Sequence, residues 1–295
     1  MPVALLKLPF WLKKHLFINK LFVDLSEQQI KDLQLKIKNV QHPKPEVSIV
    51  IPAWNEENNI FRTLSSLSFT NTQRKIEIVV INNNSTDKTQ QVLDTLGVKS
   101  YFEPKQGITF ARQLGLEKAK GKYHLCADSD TFYPPSWIDA MVKPLENDDN
   151  IVGVYGRYAF IPENSYERIF FWMYERMAGI IIRLRKSRRE HINFLGFNMG
   201  FIAEIGLANG GFKVKEVRKF DNAIDSDYFV DESEDGRMAV NLMKTGKLKL
   251  ISTPKARVFT SSRRLIAEGG IVKAFKFRFK LHTKRISEYL TGKKI

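Results

Sequence analysis

The sequence predicts an α/β fold in which a mostly parallel sheet is flanked by helices. Between residues 47 and 127, short apolar segments of strand length alternate with segments of helical periodicity. The strand segments are apolar at successive positions, as expected for strands buried on both faces between helices. With 43% hydrophobic residues in 295, the chain has enough apolar side chains for a large core. We therefore expect right-handed crossovers, with ligands bound beyond the carboxyl ends of the strands.

The individual elements follow from local patterns. The first helix is predicted to begin at Ser26, because Ser26 and Gln29 form a capping-box pattern ahead of apolar residues at helical spacing. Polar clusters follow three of the predicted strands, which suggests one shared site at that edge of the sheet. The predicted strands are 47–52, 76–81, 98–102 and 123–127, and the predicted helices are 26–38, 56–67, 87–96, 108–120 and 236–244.

The net charge of +15 is concentrated near the ends of the chain. Residues 1–22 carry four lysines and no acidic residue, and residues 253–295 carry twelve basic residues against two acidic ones. Large apolar side chains are interleaved with these charges, and residues 169–189 show a similar pattern. The pattern is typical of segments that lie on an anionic membrane surface, and no nucleic-acid-binding motif accompanies it. The alternative is that these segments pack on the protein's own core.

Several classes of protein are disfavoured by what the sequence lacks. Neither a G-x-G-x-x-G loop nor a P-loop is present, which argues against a dinucleotide oxidoreductase and a P-loop ATPase. No uncharged apolar run approaches the ~20 residues that cross a bilayer. The single cysteine, Cys126, rules out an internal disulfide and fits a reducing compartment.

Asp128 and Asp130 come where the fourth predicted strand ends. If the extended backbone persisted, both carboxylates would point to the same side. Their mutual repulsion would then be relieved by a divalent cation, and carboxylate oxygens suit hard ions such as Mg2+ or Mn2+. The alternative is a simple polar turn between a strand and a helix.

In this arrangement the chain resembles family 2 glycosyltransferases of the GT-A fold. No single motif is specific, but the matching segments occur in the family's order over about residues 46–264. They are VSIVIPAWNEE (47–57), INNNSTD (81–87), GITFARQ (107–113), DSD (128–130), GFNMG (196–200), GGF (210–212) and ED (234–235).

The resemblance implies inverting transfer of a sugar from a nucleotide-diphosphate sugar to an acceptor hydroxyl. Asp130 is expected to hold the metal, with Asp128 reaching either the ion or the ribose. Asp235 is the expected catalytic base, with Glu234 as its neighbour or substitute, although acidic residues at 225, 227, 231 and 232 leave the choice open. The alternative for this pair is a charged first helical turn with no catalytic role.

The resemblance also implies a set of residues for the nucleotide sugar. Asn82 departs from the family, which usually has Asp at one or both positions 82 and 83, and turn formation is an alternative role for both asparagines. No histidine occurs near Arg263, where related enzymes sometimes place a metal ligand. The expected donor-binding residues are Pro52, Ala53, Asn55, Glu56, Asn82, Asn83, Arg112, Asp128, Ser129, Arg263 and Arg264.

The predicted organisation is a glycosyltransferase domain with an extension at each end. Residues 1–45 form an N-terminal amphipathic, helical extension, and residues 265–295 form a basic amphipathic C-terminal extension. The domain, 46–264, divides into a nucleotide-binding half (46–131) and an acceptor half (132–264).

We expect a cytoplasmic protein, peripheral to the inner face of the cell membrane, that uses a lipid-linked saccharide acceptor and binds no nucleic acid. The alternatives are a protein or soluble acceptor, a catalytically silent nucleotide-sugar binder, a nucleotidyltransferase, or a basic nucleic-acid-binding protein.

Overall fold

The computed structural model describes residues 8–162, 165–214 and 233–263, together with Lys273, Lys276, Phe279 and Lys280. Arg264, the acidic residues at 225–232 and nearly all of the predicted C-terminal extension lie outside these residues. The predictions made for them therefore stay predictions.

The strands of the described chain include all four that the sequence predicts, with ends that differ by one residue or less. The first two are buried at every position, as expected for strands covered on both faces. The strands are β1 (Val47–Ala53), β2 (Ile76–Asn82), β3 (Lys99–Phe102), β4 (Tyr123–Cys126), β5 (Thr131–Phe132), β6 (Ile151–Gly156), β7 (Tyr158–Phe160), β8 (Met199–Ile202), β9 (Lys247–Ile251) and β10 (Val258–Thr260).

Seven of these strands form one sheet in the order β3-β2-β1-β4-β8-β6-β9. The first four are mutually parallel. The strand β8 is antiparallel to β4 and β6, and β9 runs parallel to β6. The prediction of a mostly parallel α/β sheet is therefore confirmed.

Helices flank the sheet at the predicted places. The predicted capping box is present, since Ser26 Oγ accepts from the Gln29 N–H and the Gln29 side chain accepts from the Ser26 N–H. The largest difference is at the helix predicted from residue 56, which begins at Ile60 because Glu56 and its neighbours form a hydrogen-bonded loop instead. The helices are α1 (Phe10–Lys13), α2 (Glu27–Val40), α3 (Ile60–Leu67), α4 (Thr89–Leu96), α5 (Ile108–Lys118), α6 (Trp137–Asn147), α7 (Ser165–Arg185), α8 (Ala203–Ala208) and α9 (Glu234–Met243).

The described part of the N-terminal extension packs on the protein's own core. Its first helix has only four residues, and Leu12 is fully buried in a cluster with Phe132 and Phe259. The backbone carbonyls of Leu16 and Lys20 accept hydrogen bonds from Arg62 on α3. Core packing therefore applies to Leu12, His15 and Leu25, which are buried, whereas Phe10, Ile18, Leu21 and Val23 are exposed and leave the membrane-surface alternative open for that face.

A second, small sheet in the order β5-β10-β7 continues the chain directly after Asp130. In this sheet β10 pairs antiparallel with β5 and parallel with β7. Pairing with β10 brings the Ser261 N–H within 3.2 Å of the Asp130 carbonyl oxygen. The sheet therefore places the segment after β10, including Arg263, against the aspartate turn. Among the described helices, none is long and apolar enough to cross a membrane.

Candidate active site

The loops that follow β1 and β2 are joined into one unit. Asn55 adopts a left-handed backbone (φ 53°), which Asn tolerates better than most residues. Its side-chain oxygen accepts from the Thr86 N–H at 2.8 Å, and its own N–H donates to Ser85 Oγ at 3.0 Å. The Glu56 N–H donates to Thr89 Oγ1 at 2.8 Å. These contacts hold the predicted donor-binding loops in a defined shape.

The amides of Asn82 and Asn83 are used within the fold. Both residues are almost fully buried, at 1% and 3% exposure. Asn82 accepts from the Ser85 N–H and donates to Gln90, so it shapes its own loop. Asn83 donates to the Lys105 carbonyl and accepts from the Gly107 N–H, which ties β2 to the start of α5. These contacts correspond to turn formation, the alternative role predicted for both asparagines beside nucleotide-sugar binding.

The Asp128–Asp130 segment is a hydrogen-bonded turn, not a continuation of β4. The Asp128 N–H donates to the buried Tyr133 hydroxyl at 2.9 Å, and that hydroxyl donates to the Phe197 carbonyl at 3.0 Å. The Ser129 carbonyl accepts from Thr63 Oγ1 at 2.8 Å. Burial, followed by the charge of Asp128, raises the pKa of Tyr133 well above its usual value, so this tyrosine stays a neutral donor. Neither residue was predicted from the sequence: Thr63 lies 66 residues before Ser129, and the contact of Tyr133 with the Phe197 carbonyl spans 64 residues.

Two carboxylates converge on one cationic group at the end of this turn. Nη2 of Arg263 lies 3.0 Å from Asp130 Oδ2 and 2.8 Å from Glu56 Oε1. Burial raises the pKa of Glu56, and the guanidinium of Arg263 opposes that rise. A cavity of about 180 Å³ adjoins this group and is lined by Asp130, Arg263, Arg62, Phe132 and Ser262.

This donor set fits a hard divalent cation that has few protein ligands. Within the described residues, no group of three or more His, Cys, Asp and Glu side chains is placed to hold a metal. Mg2+ and Mn2+ nevertheless bind commonly through one or two carboxylates together with water and substrate phosphate. Asp130 and Glu56 supply two such carboxylates, and the Arg263 nitrogen marks where they already hold positive charge. The sequence predicted Glu56 as a donor-binding residue, but it did not predict that Glu56 and Asp130 both pair with Arg263.

Arg112 occupies the centre of a second charged cluster. Its Nη2 lies 3.0 Å from Asp128 Oδ1, and its Nε lies 3.3 Å from Asp235 Oδ1 and 3.8 Å from Glu234 Oε1. The residue is only 4% exposed, and it also donates to the Gly196 carbonyl. The guanidinium of Arg112, which was predicted to bind the nucleotide sugar, is therefore held among carboxylates inside the protein. The two aspartates of the turn are paired with different arginines, Asp128 with Arg112 and Asp130 with Arg263.

Glu234 and Asp235 form the first turn of α9, as the sequence predicts. Asp235 Oδ2 accepts from the Gly196 N–H at 2.7 Å. Burial raises the pKa of Asp235 to about 7, with a further rise from Glu234, while Arg112 opposes the shift. Glu234 is also buried, at 4% exposure. Asp235 is therefore the carboxyl of this site whose pKa lies near neutrality.

Gly196 is required by the close approach of Arg112. A Cβ at position 196 would lie 1.8 Å from Arg112 Nη2, so any side chain there would displace the guanidinium. Two residues later, Asn198 accepts from Trp137 Nε1 and donates to the carbonyls of Arg157 and Ala256. The 196–200 motif therefore supports the site through backbone and structural contacts.

The predicted charged residues that the structure describes form two clusters in space. Glu56, Asp130 and Arg263 form one cluster, and Arg112, Asp128, Glu234 and Asp235 form the other. Pro52 and Ala53 close the buried end of β1, where the Ala53 carbonyl accepts from the Asn83 N–H at 2.8 Å. The chain segment 128–130 joins the two charged clusters, with Ser129 between them.

Comparison with known proteins identifies the family. The model of glycosyl transferase family 2 matches residues 48–205, more than half of the chain. An uncharacterized glycosyltransferase of Rickettsia typhi is 32% identical over 129 residues, which cover 43% of this chain and 40% of that protein. The chondroitin synthase of Pasteurella multocida is 33% identical over 214 residues, covering 66% of this chain and 20% of the synthase. The chain thus spans less than half the length of these curated relatives.

Two solved structures share the fold. A mannosyltransferase from Pyrobaculum calidifontis, in complex with GDP-Man and Mn2+, has a TM-score of 0.52 at 18% identity over 85% of this chain and 72% of that one. TarS from S. aureus, in complex with UDP-GlcNAc, has a TM-score of 0.52 at 15% identity over 73% of this chain and 58% of that one. At these identities the likeness concerns the fold alone. With the family model matched over most of the sheet and its loops, the chain belongs to glycosyl transferase family 2.

Proposed function

We propose that this chain is a metal-dependent, inverting glycosyltransferase that moves a sugar from a nucleoside-diphosphate sugar to an acceptor hydroxyl. One observation carries the proposal: Arg112 joins Asp128, in the turn after β4, to Asp235, at the start of α9. The residues expected to serve the donor and the residue expected to activate the acceptor therefore lie on either side of one guanidinium. Family membership and the GDP-Man and UDP-GlcNAc complexes of the two structural neighbours support a nucleotide-sugar donor.

Asp130 and Glu56 are the residues that would hold the cation. A bound Mn2+ or Mg2+ supplies positive charge that stabilises the departing nucleoside diphosphate. Arg263 bridges these two carboxylates, and its guanidinium would be available to phosphate oxygens if a cation held them instead. Arg264 remains a proposed second contact to the diphosphate.

Asp235 is the proposed general base. An acceptor hydroxyl is a weak nucleophile, and a carboxylate that takes its proton during attack lowers the barrier. A pKa of about 7 suits this role, because the base is then substantially ionised at neutral pH and still holds a proton well. The Gly196 N–H fixes one carboxylate oxygen, and Arg112 lies beside the other. Glu234, on the preceding position of α9, raises the pKa of this base.

The role of Arg112 in this proposal differs from the one suggested by the family resemblance. We assign it to holding Asp128 and Asp235 in place, since its guanidinium is buried among these carboxylates. The nucleoside is assigned to the joined loops after β1 and β2, whose shape is fixed by Asn55, Asn82 and Asn83, with Ser129 as a further proposed contact.

The proposed acceptor is a lipid-linked saccharide at the cytoplasmic face of the membrane. Support comes from α7, which exposes Ile169 (47%), Met173 (45%) and Ile180 (58%) and ends in the basic run of residues 183–189. Apolar side chains exposed beside basic ones are typical of helices that lie on anionic lipid. The measurement is flotation with anionic vesicles at moderate salt. Failure to bind, with turnover of a water-soluble acceptor, would reject this part of the proposal.

The activity itself is tested by donor binding and turnover. The wild-type chain should be stabilised against thermal unfolding by a UDP-, GDP- or dTDP-sugar only when Mn2+ is present. Asp130→Ala should abolish both this stabilisation and the release of nucleoside diphosphate, whereas Asp149→Ala, an exposed acidic control, should retain both. Metal-dependent binding without any release would instead favour a catalytically silent nucleotide-sugar binder.

A further inference from the structure

Three arginines meet where α7 packs against the start of β7. Arg157 directly precedes β7, and its Nη1 lies 4.0 Å from the point where a Cβ on Gly179 of α7 would stand. Arg176 and Arg183 lie three residues before and four residues after Gly179, so they flank it on the same face of the helix. We refer to Arg157, Arg176 and Arg183 as the arginine cluster.

In the described part of the chain, no carboxylate forms an ion pair with the arginine cluster. The nearby carboxylate, Glu175, is engaged by Arg168, at 2.7 Å and 3.1 Å, and by Arg257. Of the acidic residues that the structure describes, none lies within ion-pair distance of Arg157, Arg176 or Arg183. Moreover, Arg157 Nε is buried without a hydrogen-bond partner.

The like charges of this region influence one another. Partial burial lowers the pKa of Arg157, and the neighbouring charges of Arg183, Arg257 and Arg176 lower it further. This arrangement differs from that of Arg168, which is 5% exposed and paired through two nitrogens with Glu175. The pairing of Arg168 with Glu175 serves the stability of the fold, because a buried charge needs a partner. The convergence of the other three cations is not explained in that way.

The arginine cluster is open to a ligand. Arg176 and Arg183 are exposed, while Arg157 is half-buried between them. Arg176 lies over the ring of Trp172, with its guanidinium carbon 5.7 Å from the ring centre. Ile180 lies between the two exposed arginines on α7 and is itself 58% exposed. The surface therefore combines a concentrated positive charge with an apolar side chain directly beside it.

Phosphate is the ligand chemistry that this geometry favours. Guanidinium groups donate paired N–H groups to phosphate oxygens, and a diphosphate has enough oxygens and charge for three arginines. We propose that Arg157, Arg176 and Arg183 form a second anion site, separate from Asp130 and Glu56, that binds the phosphate or diphosphate group of the acceptor. The exposed Ile180 would contact hydrocarbon attached to that group.

The position of the arginine cluster connects it to the acceptor side of the active site. The Arg157 carbonyl accepts from Asn198 at 2.8 Å, and Asn198 follows by two residues the Gly196 whose N–H binds Asp235. These contacts link the cluster to the segment that binds the proposed base, and on that ground we assign the phosphate to the acceptor. This assignment to the acceptor rests on the proposed function, whereas the existence of an anion site does not.

The test is binding of inorganic pyrophosphate to the full chain in EDTA, which removes divalent cations from the donor side. Calorimetry should show that Arg176→Gln/Arg183→Gln weakens pyrophosphate binding by about tenfold or more, as expected when charged hydrogen bonds are lost. Lys186→Gln/Arg188→Gln removes the same charge from exposed neighbouring positions and should change the affinity less than about twofold by screened electrostatics alone. Equal affinities for the two double variants would overturn the proposal.

A second measurement separates the acceptor from the bilayer as the source of the phosphate. Flotation with vesicles of phosphatidylcholine and phosphatidylglycerol should be affected similarly by both double variants, because each removes two positive charges. Selective loss of vesicle binding in Arg176→Gln/Arg183→Gln, with pyrophosphate affinity unchanged, would overturn the acceptor assignment in favour of a headgroup contact. Since neither measurement uses a donor sugar, a chain that binds pyrophosphate but transfers nothing would refute the proposed function and leave the anion site intact.

Discussion

Removal of Arg112 should destabilise the protein far more than removal of a surface charge. In Arg112→Gln, the buried Glu234 and the partly buried Asp128 and Asp235 lose the cation that lies 3.0–3.8 Å from each of them. Breaking a buried charge cluster by removing one partner typically costs about 3–5 kcal/mol. With an unfolding entropy of about 2.1 cal/mol/K per residue, a chain of 295 residues should then melt roughly 5–8 °C lower.

The effect should also depend on pH in a defined direction. Because burial raises the pKa of Asp235 to about 7 from an ordinary 3.8, the native state holds this proton more tightly than the unfolded chain. Its contribution to stability is therefore complete below about pH 4 and is lost as the pH rises to about 7. Arg112 opposes the rise in the pKa of Asp235, so in Arg112→Gln this loss should extend above pH 7.

The assay is thermal unfolding followed by circular dichroism between pH 5 and pH 9. Lys31→Gln is the control, since Lys31 pairs with Glu27 at 3.8 Å on the exposed face of α2. Such a pair contributes about 0.5 kcal/mol or less, and the melting temperature should fall by less than about 1 °C. Adding Asp235→Asn to Arg112→Gln should recover part of the lost stability. A melting temperature of Arg112→Gln within 1 °C of wild type, or no recovery in the double variant, would refute this account.

Three further predictions follow from the same site. Asp235→Asn should lower kcat by about 10²–10⁴-fold and abolish the rise of kcat/KM on the acidic side of pH 7, as a steady-state pH profile would reveal; an unchanged profile would exclude Asp235 as the base. Gly196→Ala should cost about 1–3 kcal/mol in urea unfolding, because its Cβ would lie 1.8 Å from a guanidinium nitrogen, and a variant as stable as wild type would contradict this packing. Arg263→Gln should strengthen Mn2+ binding without donor, as measured by calorimetry, since it frees Asp130 and Glu56; weaker binding would show that these carboxylates do not hold the ion.

Much of the fold was predictable because its causes are local or periodic. The first two strands are apolar at nearly every position, which predicts strands covered on both faces, and the structure buries every one of their residues. Helix α3 began four residues later than predicted because Glu56 donates its N–H to Thr89, and nothing in the local pattern of 56–67 reveals a partner 33 residues away.

The candidate site was predictable in membership but not in pairing. Asp128 and Asp130 were identified as a pair, yet the structure gives each a different arginine. Arg263 lies 133 residues from Asp130, and their contact depends on the pairing of β10 with β5. Likewise, the need for glycine at position 196 arises from a side chain 84 residues earlier.

The sequence by itself determined the alternation of strands and helices, the capping of α2 and the placement of polar loops at one edge of the sheet. These depend on hydrophobic periodicity and on hydrogen bonds between near neighbours, and both can be recognised from short stretches of sequence. Only the tertiary structure decided which carboxylates are paired with the same arginine, that Arg112 is buried among acids, and that Leu12 packs on the core. Those outcomes depend on desolvation and on distances between segments far apart in the chain, and both exist only once the chain has folded.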